Sequence, residues 1–341
     1  MIKNFSITLL LILSVMSLLF SKEVPVQADG FNYSVSPKIP DNQIGDINSY
    51  YNLRMQPSQK TDIQLSITNH FNKVQQFNIK VNTATTNGNG IVDYSENSFN
   101  KDKSMTYSIQ DLITIKQPLI TIEAGATQVV SMTLQMPDQE FDGILLGGIT
   151  VEPISKQSEK RGISNIYTHT IAIQVSENDN TVSTKLIGNE VQLDQINYHN
   201  VVKMNIQNPT ARLLKNLKAE LTITRKNQNK PIVSMTKKDL SIAPNSNFYL
   251  PIEINDTFKP GQYTYTIIMQ NEGGEWKFNK DFTIEDKEAK KLNKESVDQQ
   301  DQRSLNWIIV AGIYIIILVF LWFVYIDNRN KKSLNTDDDN L

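Results

Sequence analysis

Apolar residues recur at every second position along most of this chain, and that periodicity excludes most folds before any motif is considered. In TDIQLSITN, Ile63, Leu65 and Ile67 fall on one face. FNIKV repeats the pattern with Phe77, Ile79 and Val81, VVSMTLQMP with Val130, Met132, Leu134 and Met136, and IYTHTIAIQV with Ile171, Ile173 and Val175. No stretch before residue 286 carries a helical period. Short alternating segments separated by Asn, Gly and Pro turns predict antiparallel β-sandwiches. At 39% apolar and 21% charged residues, the chain has enough apolar material for ordinary globular cores.

The alternation is itself repeated. IQLSITN, followed later by LITIEAGATQVVSMTLQMPDQEFDGILLGGITV, matches VKMNIQN, followed later by LSIAPNSNFYLPIEINDTFKPGQYTYTIIM. Each half has a strand ending in Asn (Asn69, Asn208), a Leu-x-Ile strand, a turn and an alternating strand. A loop then opens at Phe141 or Phe258, a turn glycine follows at Gly143 or Gly261, and a last strand closes the unit. This order predicts a duplicated immunoglobulin-like unit. In the second half Pro260 and Gly261 suit a type II turn; in the first, Asp142 and Gly143 turn the chain. The first half's last strand contains Gly147 and Gly148. Glycine weakens a strand interior, so the pair predicts either a bulge or the close approach of another backbone. A valine at 147 is then expected to fold normally and to obstruct a partner.

Two further segments set the address. Residues 1–28 read as a cleaved signal peptide: MIKNFS, an apolar run, then SKEVPVQA, with Val26 and Ala28 as the small residues before a cut between Ala28 and Asp29. Residues 307–326, WIIVAGIYIIILVFLWFVYI, carry no charge and read as a transmembrane helix, with Trp307, Trp322 and Tyr325 near its ends. Basic residues flank it evenly, Lys291, Lys294 and Arg303 before, Arg329, Lys331 and Lys332 after. The exported signal therefore decides the orientation, ectodomain outside and tail inside. The fold class expected is all-β: two tandem immunoglobulin-like β-sandwiches plus a single C-terminal transmembrane helix. The sandwiches are placed at 29–180 and 181–285, a solvated charged stalk at 286–306, the helix at 307–326 and a cytoplasmic tail at 327–341.

The search for chemistry is mostly negative. The chain has no cysteine, which removes disulfides, thiolate metal sites and a Cys nucleophile. Its 34 basic and 36 acidic residues leave no basic excess for nucleic acid. His70, His169 and His199 form no zinc motif, and neither a Gly-x-Ser-x-Gly elbow nor a Walker loop occurs. No catalytic, cofactor-binding or metal-binding residue is assigned. Asp93 and Glu96 read as solvated carboxylates, and NGNG as a hairpin turn without the ligand spacing of a calcium loop. Trp276, Phe278 and Phe282 read as core. Adjacent Tyr50 and Tyr51 must point to opposite faces of a regular strand, which leaves one for a ligand.

Taken together, the signal, a longer sandwich with YYNLRMQPSQKTDIQLSITN, NGNGIVDYS and FDGILLGGI, a shorter one with KPGQYTY and EWKFNKDF, a membrane helix and a short basic tail resemble the WxL-interacting proteins of low-GC Gram-positive bacteria. The resemblance implies a peptidoglycan-binding first domain and a host-binding second domain, in complex with WxL-domain proteins at the cell wall. It implies a membrane-anchored, non-catalytic adaptor without cofactors, whose partners are peptidoglycan, WxL-domain surface proteins and host extracellular proteins. The candidate partner-binding residues, Tyr50, Tyr51, Phe141, Gly143, Gly147 and Gly148, come from the residue pattern itself. Two alternatives stay open. An extracytoplasmic immunoglobulin-fold chaperone would present an unpaired sheet edge to a client strand, and a carbohydrate-active enzyme would converge paired carboxylates in a cleft.

Overall fold

The computed structural model describes residues 32–96, 98–154, 167–297, 309–322 and 325. The expected cleavage site at Ala28 and Asp29, both ends of the 307–326 segment and the tail at 327–341 lie outside them.

Alternating residues become strands whose apolar faces close on each other, twice over. In the first sandwich, β1 (Tyr33–Lys38), β3 (Lys60–Asn69), β9 (Thr127–Gln135) and β7 (Ile113–Ile115) form one sheet in the order β1-β3-β9-β7. The other sheet runs β2 (Tyr51–Arg54), β11 (His169–Ser176), β10 (Leu145–Pro153), β4 (Gln75–Thr83) and β8 (Leu119–Ile122). Only β2 and β11 pair in parallel among these neighbours. Ile63, Leu65, Ile67, Phe77, Ile79, Met132, Leu134, Ile149, Val151, Ile173 and Val175 fill the space between the sheets, as the alternation requires. A short helix, α1 (Ile109–Leu112), which no period announced, seats Ile109 in that core. The NGNG turn joins β5 (Thr85–Thr86) and β6 (Val92–Asp93) as a hairpin.

The second sandwich pairs a sheet of β12 (Ile187–Ile196), β13 (His199–Asn208) and β16 (Ser246–Glu253) with a sheet in the order β15-β14-β17-β18. These last four are β14 (Leu214–Arg225), β15 (Pro231–Ile242), β17 (Gly261–Asn271) and β18 (Gly274–Ile284). Trp276, Phe278 and Phe282 pack against its core. The duplicated Asn is more than a pattern. Asn69 is fully buried, and its amide donates to the carbonyls of Lys73, Ile122 and Glu123. Asn208 donates likewise to Arg212 and Ala243. Each therefore ties its own loop, four residues on, to the turn after the Leu-x-Ile strand.

The charged segment expected to be a solvated stalk from residue 286 folds, over its first part, as helix α2 (Asp286–Glu295) docked on the second sandwich. The apolar contacts are few, Ala289 and Leu292, and polar ones do the rest. Asn293 accepts from the Phe258 amide (2.7 Å) and donates to its carbonyl (2.9 Å), while Gln195 reaches the Leu292 carbonyl (2.7 Å). The segment is amphipathic but holds only Ala289 and Leu292 as apolar residues, so by composition it reads as solvated.

Residues 309–322 are helical, with apolar side chains such as Ile316 and Phe320 exposed. Among the described residues no helix is long and apolar enough to cross a membrane; the described stretch 309–322 rises about 21 Å against a hydrocarbon thickness of about 30 Å.

Candidate binding surface

The glycine pair of β10 is explained by its two faces. The strand is in unbroken register with β11 and β4, so there is no bulge. Gly147 faces the core: a Cβ there would lie 2.5 Å from Ile109 Cγ2 and 2.6 Å from the Asn82 carbonyl oxygen. Gly148 faces outward, and its Cβ would meet Tyr94 at 2.8 Å and Thr170 Cγ2 at 2.9 Å. The close approach is real, but it comes from the chain itself, α1 on one side and the residue after β6 on the other. Valine at 147 is therefore incompatible with this packing, contrary to the sequence-based expectation. Leu146, next to them, opens a third contact: with Ala84 and Ala243 it forms a small cluster, joined by Val92, Tyr94 and Leu213, that bridges the two sandwiches.

That bridge is broad. The Ser241 amide donates to the Gly90 carbonyl (2.7 Å) and the Ile144 amide to Ala211 (2.8 Å). Thr86 Oγ1 accepts from the Ala243 amide and lies 3.0 Å from Ser246 Oγ. Asp102, in the loop before α1, accepts from Gln207 (2.8 Å) and Asn247 (2.7 Å) of the second sandwich and from the Ser104 amide and hydroxyl. Burial alone would raise the Asp102 pKa; these donors outweigh it and hold the carboxyl below its usual value. Gly143 adopts φ +87°, a left-handed conformation suited to glycine, with the Ala211 carbonyl oxygen 2.2 Å from where a Cβ would stand. Phe141 packs against the first core and donates its amide to Glu177 (2.8 Å).

The motif segments converge on the outward face of the five-stranded sheet, beside this joint. Tyr51 is fully buried in the core, its hydroxyl on the Gln64 carbonyl, so Tyr50 is the half of the pair left toward solvent. Tyr50 stands close enough to Tyr94 that, after burial, it is the second cause raising the Tyr94 pKa. Gly148 pairs with Ala172 across the strands and is itself buried, with Tyr94 lying over it. Asn52 and Gln174 lock amide to amide at 2.9 Å beside it. At the joint the surface deepens into a cleft of about 400 Å³ lined by Gly143, Gln174, Asp179, Arg212 and Lys215 among others. Three buried polar atoms lack a hydrogen-bond partner among the described residues: Asn82 Oδ1, Arg54 Nε and Glu177 Oε1. All three belong to residues of this sheet or its rim. Asn82 donates to the Tyr94 carbonyl, Arg54 bridges to Asp179, and Glu177 holds Phe141. Burial, then the nearby Glu140 against the Phe141 amide, leaves the Glu177 pKa raised.

This arrangement offers tyrosine rings and side-chain amides, while the three unpaired polar atoms, two acceptors and one donor, lie buried beneath it. Hydroxyl-rich ligands satisfy such a set, because each hydroxyl both donates and accepts. Sequence reasoning named Tyr50, Phe141, Gly143 and the glycine pair, and missed Tyr94, Asn52, Gln174 and Asn82. The adjacency of Tyr94 to NGNG was the one available signal; the amides become recognisable only once β2 and β11 are seen to pair.

A two-sandwich binding protein is thus the class the fold defines. Two family descriptions match it in order: WxL Interacting Protein, peptidoglycan binding domain, over residues 33–153, and WxL Interacting Protein, host binding domain, over residues 158–294. The chain belongs to the WxL-interacting protein family. Both are descriptions of binding domains rather than of enzymes, and they place the family at the cell surface. No curated protein matches the chain. Similar solved structures include the Salmonella enterica SafA pilin in complex with the SafB chaperone (12% identity, 76% of this chain and 99% of that one, TM-score 0.31). The E. coli chaperone DraB (14%, 74% and 97%, 0.29) and a PapD-like domain of human CEP192 (14%, 44% and 87%, 0.27) are others. At these scores none bears on function.

Proposed function

We propose that this protein is a non-catalytic cell-wall adaptor, anchored in the membrane by residues 307–326 after signal cleavage at Ala28. On this reading the first sandwich grips peptidoglycan, the assembly holds WxL-domain proteins, and the second sandwich is offered to host surface molecules. The observation that carries it is the convergence of YYNLRMQP, NGNGIVDYS and FDGILLGGI on one face, where Tyr94 lies over Gly148, Asn52 and Gln174 pair side chain to side chain and Tyr50 precedes β2. The glycan of peptidoglycan is the ligand chemistry that face fits: tyrosine rings cover sugar C–H faces and amides take the hydroxyls. The exposed apolar helix at 309–322 supports the anchor, since side chains such as Phe320 need a non-aqueous surrounding. An adaptor rather than an enzyme is supported by the one carboxylate lining the cleft, Asp179, being paired with Arg54.

The test is co-sedimentation of the detergent-solubilised full chain with purified peptidoglycan. Tyr94→Ala and Gln174→Ala are expected to weaken retention by about tenfold each, the loss of one stacking or amide contact. Retention unchanged in both, with melting also unchanged, removes the face from consideration. Co-purification with a WxL-domain protein encoded in the same cells tests the adaptor role separately.

A further inference from the structure

The second sandwich is closed on one side and open on the other. On the closed side β12 packs against β18, with Phe278 lying over Gly188 so tightly that a Cβ there would meet its ring at 2.7 Å. On the other side β15 and β16 are the free edges of their respective sheets. They leave the Ala243 to Asn245 turn in different sheets and diverge. The upper end of the gap is already filled by the first sandwich. Its β5–β6 hairpin packs against both edges, the Gly90 carbonyl taking the Ser241 amide of β15 while Thr86 reaches Ser246 of β16. Gly90, at φ +72°, lets the hairpin lie on Leu240.

Below that plug no strand among the described residues pairs with the free edge of β15 or β16. Residues 233–237 of β15 pair with β14 in unbroken register, and their other edge has no strand beside it. Val233 and Met235 turn inward, only partly buried. At the lower end lies a cavity of about 260 Å³, walled by Val202, Ile223, Ile254, Phe258, Tyr263 and Phe282, with Ile232 at its rim 49% exposed. A free backbone edge with an apolar hole beside it is the geometry of β-strand addition: main-chain hydrogen bonds give affinity and pockets for alternate side chains give selectivity. Edges of this kind are otherwise shielded. Here the upper half is shielded by the molecule's own hairpin and by Lys237, turned into the gap toward Glu253 and with its pKa lowered by burial. The lower part has no strand or hairpin on it among the described residues, although Pro231 opens β15 there and Arg225, Asp256 and Lys259 are among the residues lining the cavity.

We propose that the gap between β15 and β16 takes one extended segment of a partner protein, continuing downward from the β5–β6 hairpin. The segment adds to β15 beside residues 233–236, with apolar side chains at alternate positions, and seats the lowest of them in the Ile254–Phe282 cavity. This site is distinct from the glycan face of the first sandwich and stands or falls independently of it.

The probe is a short synthetic peptide alternating threonine with isoleucine, tryptophan and leucine, compared with a block-ordered peptide of the same composition. Fluorescence anisotropy with the detergent-solubilised full chain is expected to show binding of the alternating peptide, at least about tenfold tighter than the block peptide. Bound peptide should slow amide exchange at residues 233–236. Ile254→Trp, which fills the cavity, should weaken binding by a similar factor, and Ile232→Asp at the exposed rim should do so even if the tryptophan variant melts early. Equal binding of the two peptides, no binding of either, or affinity indifferent to both substitutions overturns the proposal. So does a concentration-dependent dimer abolished by Ile232→Asp, which would put a second copy of the chain in the gap.

Discussion

The two sandwiches share a plan and fill the same core position by different means. Counting four residues on from the turn glycines Gly143 and Gly261, Gly147 of β10 corresponds to Tyr265 of β17, and each faces its own core. Tyr265 is fully buried, and its hydroxyl reaches the Leu250 carbonyl of the opposite sheet at 3.3 Å. In the first sandwich that position has no side chain, and Ile109 arrives from α1 to occupy it. The corners differ in the same way. Phe258 is capped by Asn293 of α2, whereas the Phe141 corner leads to Gly143, pressed on Ala211 of the neighbouring sandwich. Two units of one plan thus differ in the outside elements they take in at corresponding points. The first copy has spent its strand interior on contacts with α1, Tyr94 and the second copy.

The sharpest way to break the comparison is to empty the position in the second copy. Tyr265→Ala removes a fully buried ring and no helix stands ready to replace it, so a loss of about 3–5 kcal/mol is expected. Chemical denaturation of the full chain measures it; a loss below ~1 kcal/mol would mean that the second core collapses around the gap and that the two positions are not equivalent.

The reverse experiment fills the position in the first copy. Gly147→Val drives a branched side chain into Ile109 and is expected to cost about 1–3 kcal/mol or more. The double variant with Ile109→Ala should recover part of this, because the nearest offending atom, Ile109 Cγ2, is gone. Recovery is the decisive readout: if the double variant is no better than the sum of the two singles, the clash with the Asn82 carbonyl rather than Ile109 dominates.

Much of this was legible in the sequence, and the boundary is physical. Strand faces follow from period two, and the equivalence of Asn69 with Asn208 and of Phe141 with Phe258 follows from the repeat. The glycine pair was legible as a demand for close approach, but not its direction, because one strand cannot report what lies on either side. Tyr50 and Tyr51 were separable into an inner and an outer residue by alternation alone. Neither helix was visible. α1 is only four residues long, and α2 holds on through Asn293 and Gln195 rather than an apolar stripe. The joint between sandwiches was invisible for the same reason: Asp102, Gln207, Asn247 and Thr86 are ordinary surface types until the fold brings them together.

The repeated asparagines allow a finer comparison. Asn69 serves three carbonyls and Asn208 two. Each is buried, so Asn→Ala leaves acceptors unmatched and is expected to cost about 1–3 kcal/mol, with Asn69→Ala the worse of the two. Equal costs, read from denaturation midpoints at constant slope, would mean that the third carbonyl of Asn69 counts for no more than the Thr210 hydroxyl, which donates to Asn208 Oδ1 beside the Thr210 amide, whereas Asn69 Oδ1 accepts, among the described residues, only from the Phe71 amide.

The smallest effect concerns how firmly the two copies are coupled, and it depends on pH. Asp102 is the charged centre of the joint, and its folded pKa lies below the usual 3.8. A depressed carboxylate contributes stability that is fully present above the unfolded value and is lost as pH falls through the folded one. The coupling should therefore be constant from neutral pH to about 4 and weaken only below 3.8. Glu177 works in the opposite direction. Its folded pKa is raised above 4.5, so protonating it as pH falls relieves a cost rather than adding one, and the joint should not loosen in that higher window. Asp102→Asn keeps the shape but removes the charge, and is expected to cost about 1 kcal/mol at neutral pH, within the range for a charge-assisted hydrogen-bond set that stays partly satisfied. The measurement is amide exchange at Ala243, whose N–H is held by Thr86 across the joint at 3.0 Å. Wild-type protection should fall below pH 3.8, while Asp102→Asn should start lower and show no such step. A step of equal size in the variant would assign the acid sensitivity to another carboxylate and leave Asp102 a passive member of the joint.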